Sequence, residues 1–217
     1  MKDPTPALTV AIEAGAVLTS AVSGALKAAE KRADLVGTVS LALATAFGGG
    51  TLRDVLLQRR PFFWVSNQEY VVVTLVLGVV LVYSRSAYEL ARVFDRRAAL
   101  VDALGLALFS LSGTRAGVEA GLSFLPASFM GVVTGTFGGV IRDVLVNDMP
   151  VIFRPGTLYA IPSLLGCWLY LGASALGAEP HLAGLAAVAA IVGVRMASVS
   201  TGLDLPPAHW NDGASGR

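Results

Sequence analysis

One block of this chain occurs twice. Thr45-Ala46-Phe47-Gly48-Gly49-Gly50-Thr51-Leu52-Arg53-Asp54-Val55-Leu56 returns as Thr134-Gly135-Thr136-Phe137-Gly138-Gly139-Val140-Ile141-Arg142-Asp143-Val144-Leu145, and each copy is followed by a proline, Pro61 or Pro150. The offset is 89 residues without a gap, and between residues 12 and 64 it gives twelve identities. The same offset sets Glu13 on Asp102, Ser23-Gly24 on Ser112-Gly113, and Glu30 on Glu119. Drift in an apolar chain leaves scattered Leu and Ala matches, not two GGxxRDVL blocks. The chain is an internal duplication, which constrains the fold before any local assignment.

Of the 217 residues 54% are hydrophobic and only 14% charged, with a mean hydropathy of +0.68. A soluble domain is about 25% charged, so this chain has too little polar surface to cover one. Its apolar stretches follow one another, each near the roughly 20 residues that cross a bilayer as a helix. The 24 glycines suit close helix packing in lipid. A net charge of +1 gives nucleic acid nothing to bind. Cys167 alone excludes an intrachain disulfide and any multi-cysteine metal site, and it reads as a small packing residue. His181 and His209 are too few for a metal cluster.

Seven membrane spans are expected, near residues 7–28, 35–57, 70–91, 99–117, 126–148, 158–176 and 182–199. The first follows Met1-Lys2-Asp3 as a signal peptide would. Glu13 interrupts it and no cleavage site follows before Lys27, so it reads as a retained helix. Phe62-Phe63-Trp64 reads as an aromatic anchor at headgroup depth. Arg92 to Arg97 is a polar hinge, and the tail from Asp204, with Pro206-Pro207, reads as disordered.

The expected fold is an all-α polytopic membrane protein. Residues 1–92 form the first three-helix repeat, 93–178 the second, 179–200 a seventh helix, and 201–217 the tail. Three spans per repeat is an odd number. The second repeat therefore enters from the opposite side, and the repeats are inverted, as in proteins with a pseudo-two-fold axis in the membrane plane. Assigning Lys and Arg to the two faces gives eleven against five, which places the N-terminus outside and the C-terminus in the cytoplasm.

The glycine blocks, Gly48-Gly49-Gly50 and Phe137-Gly138-Gly139, have three readings. Missing side chains let helices pack closely; glycine pairs kink or unwind a helix; and an unwound backbone lines a water-filled route where carbonyls meet an ion. Arg53-Asp54 and Arg142-Asp143 follow the blocks, eighteen steps or about 27 Å into the second span for Arg53. Each pair is either one mouth of such a route or a salt-bridge and capping network that locks the helix end. Glu13 and Asp102 either draw cations into vestibules or are charges favoured by the helix dipole. Ser23, Ser112, Thr45 and Thr134 line the pore or bond back to the i−4 carbonyl. Arg115, whose repeat partner is Leu26, reads as a gate, a network residue or a headgroup contact. No Gly-x-Ser-x-Gly, His-Glu-x-x-His or Walker motif is present, so no enzyme is expected.

With Gly48-Gly49-Gly50-Thr51-Leu52-Arg53-Asp54 and Phe137-Gly138-Gly139-Val140-Ile141-Arg142-Asp143, residues 8–200 resemble a bacterial and archaeal family. Its repeated module is labelled a glycine-transporter domain, and it is related to the trimeric intracellular cation (TRIC) channels. The resemblance implies a homotrimer in the prokaryotic plasma membrane, one potassium-permeable pore per protomer, and helix bends at the glycine blocks. The second block departs from a triple glycine, and the resemblance makes Phe137 a narrowing or hydrophobic gate. It implies no cofactor. The permeant ions are monovalent cations, and bound lipid stays open. The alternative on the same repeats is a secondary transporter of glycine or another small solute.

Overall fold

The computed structural model describes residues 6–84, 86, 89, 95–154 and 158–203. Eight α-helices are described: α1 (Pro6–Glu30), α2 (Leu35–Leu56), α3 (Phe63–Ser66), α4 (Gln68–Tyr83), α5 (Asp95–Glu119), α6 (Phe124–Leu145), α7 (Ala160–Ala175) and α8 (Pro180–Thr201). A 3₁₀ turn, Val151–Phe153, follows α6. Five helices are long and apolar enough to cross a membrane, and α4 and α7 are shorter apolar helices of 16 residues. The fold is an all-α polytopic membrane fold. The expected third span falls on α4, and its continuation to residue 91 lies largely outside the described residues, as do Arg92 of the hinge, Lys2, Pro155-Gly156 and the tail from Asp204.

The duplication is visible in the helix ends. Gln58 and Asn147, 89 residues apart, both take positive φ, 53° and 56°. Arg32 and Gly121 form a second such pair at 56° and 79°. Left-handed residues there close each helix with equivalent backbone bonds, Arg59 N–H to Asp54 O and Asp148 N–H to Asp143 O, both 2.8 Å. Packing follows the same rule. α1, α2, α5 and α6 form the centre, α4 packs on α1 and α2, and α7 packs on α5 and α6. α8 packs on α5 and α7, with no counterpart in the first half. Val72, Val76 and Val80, one turn apart on α4, are 57%, 57% and 55% exposed, a stripe suited to lipid.

α2 and α6 cross backbone to backbone. A Cβ on Gly138 would lie 2.5 Å from the Thr45 carbonyl oxygen, and one on Gly49 would overlap that of Thr134. Both helices keep α-helical hydrogen bonding through their glycine blocks, which corrects the expectation of unwinding there. The missing side chains are used for approach, as helices in lipid use small residues to gain van der Waals contact. Gly24 and Gly113 serve similarly under the hydroxyls of Thr45 and Thr134. The remaining block glycines face side chains: Gly48 the end of Ile141, Gly50 the Phe63 ring, Gly139 the Tyr159 hydroxyl.

The aromatic anchor is also corrected. Phe63 is 7% exposed, with ring centroids 5.9 Å from Phe47 and 6.5 Å from Tyr70. It plugs the space above Gly50 because the turn at Pro61 carries α3 back over the helix end. Trp64 is half-buried and its Nε1 donates to Thr51 Oγ1 at 3.1 Å. Arg53, Arg115, Arg142 and Arg195 are buried, so they drop out of the charge tally, which keeps its sign.

A methyl on Gly49 or Gly138 must push against a carbonyl, whereas one on Gly193 meets nothing within 4 Å. Gly49→Ala and Gly138→Ala are expected to lose about 1–3 kcal/mol, and Gly193→Ala to gain up to about 1 kcal/mol. Thermal unfolding in detergent checks this; equal midpoints for all three would contradict the close approach.

Candidate functional site

The sequence-equivalent polar residues meet in two buried clusters. Arg53, 2% exposed near the end of α2, donates from Nε to Asp54 Oδ1 at 2.8 Å. Its Nη1 reaches Ser112 Oγ of α5 at 2.8 Å and Glu13 Oε1 of α1 at 3.4 Å. The Phe63 ring covers the guanidinium at 5.1 Å. Arg142 repeats the pattern near the end of α6: Nε to Asp143 Oδ1 at 2.9 Å, Nη1 to Ser23 Oγ of α1 at 2.5 Å and to Asp102 Oδ1 of α5 at 2.8 Å.

The Arg-Asp adjacency has a mechanical reason. One carboxylate oxygen holds the arginine, and the other accepts from the returning loop: Asp54 Oδ2 from Phe63 N–H at 2.7 Å, Asp143 Oδ2 from Val151 N–H at 3.1 Å. Pro61 and Pro150 turn the chain so that those N–H groups arrive. The capping reading of the Arg-Asp pairs therefore describes the local structure. Each arginine also bridges the halves, since Ser112 and Asp102 belong to the second repeat and Ser23 and Glu13 to the first.

Glu13 and Asp102 sit well inside α1 and α5, not in a first turn, so the helix-dipole reading is set aside. Their partners are the arginines. Thr45 and Thr134 donate to the i−4 carbonyls of Leu41 and Met130, both at 2.6 Å. Phe137 is 37% exposed.

A family model described as glycine transporter matches the chain twice, over residues 10–86 and 99–175. A membrane protein of Deinococcus radiodurans is 40% identical over 157 residues, 70% of this chain and 72% of that one. The inner membrane protein YadS of Escherichia coli is 34% identical over 188 residues, covering 86% and 89%. Among solved structures, a TRIC trimeric intracellular cation channel orthologue from Rhodobacter sphaeroides superposes with a TM-score of 0.81 at 35% identity, over 90% of this chain and 99% of that chain. The chain belongs to the prokaryotic TRIC family. A second TRIC cation channel matches at 26% identity with a TM-score of 0.80, covering 91% and 96%.

In this TRIC chain the two clusters differ in their surroundings. A small cleft opens beside the first, lined by Glu13, Arg53, Arg59, Ser112, Arg115 and Glu119. Arg115 is thus a member of the first cluster's wall. The second is covered by Tyr159, whose hydroxyl lies beside Asp102 and Arg142. Tyr159 stands 89 residues after Tyr70, an identity beyond Pro61 that the doubled motif leaves out. Tyr70 donates instead to Val10 O at 3.3 Å. Outside the clusters, ion pairs tie helix ends across the halves: Arg59 to Glu119 at 2.9 Å, and Asp148 to Lys31 at 2.7 Å and Lys27 at 2.9 Å. Positions 59 and 148 are equivalent with their charges reversed.

Replacing Arg142 with Met leaves Asp102 and Asp143 buried without their cation. The variant is expected to lose about 3–5 kcal/mol, with part recovered on adding Asp102→Asn. Chemical unfolding of the purified proteins checks this; an unchanged midpoint would contradict the cluster.

Lys31 and Lys27 pull the Asp148 carboxyl from 3.8 down to about 2. The depressed value means that its stabilisation is present above the unfolded value and is lost as pH falls through about 2. Melting points of wild type and Asp148→Asn between pH 5 and 2 should converge on acidification. A constant gap would contradict the tie.

Proposed function

We propose that the chain forms a channel for monovalent cations, potassium foremost, as a homotrimer in the prokaryotic inner membrane with one pathway per protomer. The observation that carries this reading is the charge of the buried clusters. Each sets two carboxylates against one arginine, Glu13 and Asp54 against Arg53, and Asp102 and Asp143 against Arg142. Ionisable groups buried in membrane helices mark ion routes, and these carboxylates are groups a cation can meet, with Arg115 and Arg195 at the edges offsetting part of their charge. The TRIC neighbours carry the cation-channel description, and YadS carries the inner-membrane one.

In this reading residues 1–92 and 93–178 are inverted repeats, with residues 179–200 as the extra helix. The ion pairs support it. α1 and α2 are joined by a four-residue link, so their C-terminal ends lie on opposite faces. The C-terminal end of α6 is tied to that of α1, and the C-terminal end of α5 to that of α2. Equivalent helices α1 and α5 then point opposite ways. The pathway runs between the halves past Gly48-Gly49-Gly50 and Phe137-Gly138-Gly139, with the two arginine clusters towards its opposite ends. The N-terminus faces outward and the C-terminus the cytoplasm, in keeping with the excess of Lys and Arg at the Lys27 face.

A second reading, secondary transport of glycine, rests on the description of the matching family model. Proteoliposomes loaded with potassium separate the two. A channel gives potassium flux that grows with voltage and needs no organic solute. Saturable uptake of radiolabelled glycine against its gradient, with no potassium flux, would overturn the channel.

A further inference from the structure

Arg195 lies on α8, the helix outside the duplication, and is 5% exposed. Among the described residues its partners are a carbonyl oxygen and an aromatic face, with no carboxylate. Nη1 donates to Leu158 O at 3.2 Å, the guanidinium stands 4.9 Å from the Tyr159 ring centroid, and Nε has no hydrogen-bond partner. A buried arginine in a membrane helix is costly and points to function. The weak hydration of guanidinium and its flat face suit it to an aromatic neighbour.

Tyr159 links this cation to the second cluster. Its ring lies under Arg195 and its hydroxyl lies beside Asp102, which accepts from Arg142. A Cβ on Gly139 would stand 3.0 Å from that hydroxyl, so the last glycine of the block leaves room for the tyrosine to reach in. In the first cluster the corresponding glycine, Gly50, meets Phe63, which carries no hydroxyl. The equivalent tyrosine, Tyr70, bonds a backbone carbonyl. The second cluster thus has beside it a cation that the duplication did not supply, and it draws in a tyrosine that the first leaves outside.

We propose that Arg195 is a positioning residue of the second cluster, acting through Tyr159 on Asp102. α8 thereby sets the charge at one end of the pathway and makes conduction through a protomer asymmetric. This rests on the channel reading. Removing the cation raises the local cation concentration at that end, so entry from there becomes easier.

The test is the ratio of potassium currents at equal positive and negative voltages, in planar bilayers with symmetric KCl. Arg195→Gln is expected to change the ratio by about twofold, the effect of a unit charge roughly 8 Å away in a water-like dielectric. Arg195→Lys keeps the cation and should hold the wild-type ratio. Tyr159→Phe should shift it in the same direction as Arg195→Gln, and the double variant should add little to either. A ratio unchanged in Arg195→Gln, or additive effects in the double variant, would overturn the proposal. A wild-type protein that carries no current would overturn the channel reading instead. The positioning link is then read from wild type, Arg195→Gln, Tyr159→Phe and the double variant by thermal unfolding, where additive losses would refute it and coupled losses would uphold it.

Discussion

Two arginines held inside a membrane protein set the terms for everything around them. Lipid cannot solvate a guanidinium, so Arg53 and Arg142 must each find carboxylates and hydroxyls within the chain. Each takes an aspartate from its own helix, a carboxylate from the first helix of its own repeat, and a serine from the first helix of the other. The serine contact makes the halves interdependent. Neither repeat can satisfy its arginine alone, which accounts for a duplicated unit that stays paired. The crossing of α2 and α6 depends on this pairing. It brings two helices so close that Gly49 and Gly138 face the carbonyls of Thr134 and Thr45.

Most members of both clusters were legible in the sequence as pairs. The 89-residue offset named Glu13 with Asp102, Ser23 with Ser112, and Arg53-Asp54 with Arg142-Asp143. It did not say which residue touches which. Ser23 of one half meets Arg142 of the other, and an offset cannot express a contact across a pseudo-two-fold axis. Burial was equally hidden. Glu13 reads as a vestibule charge until Arg53 is seen beside it, and Phe63 reads as a headgroup anchor until the turn at Pro61 folds it over Gly50. Glycine runs are ambiguous for a related reason: approach and bending ask for the same missing Cβ, and only the partner helix distinguishes them.

The departures from symmetry lie where the sequence is quietest. Tyr70 and Tyr159 share the offset, yet one donates to a backbone carbonyl and the other places its hydroxyl beside Asp102. Arg195 has no repeat partner at all, so the duplication could not flag it. Arg115 is matched by Leu26 and borders the cleft at the opposite cluster. Duplication supplies two similar clusters; single residues outside the pattern make their surroundings unlike.

The most direct measurement is the zero-current potential of the reconstituted protein under a tenfold KCl gradient. A tenfold ratio corresponds to about 1.4 kcal/mol, and 100 mV acts on a unit charge with about 2.3 kcal/mol. A cation-selective pathway therefore predicts a potential approaching about 60 mV in magnitude, with the sign set by potassium. A potential near zero, or one of the sign set by chloride, would contradict a cation channel built on these clusters.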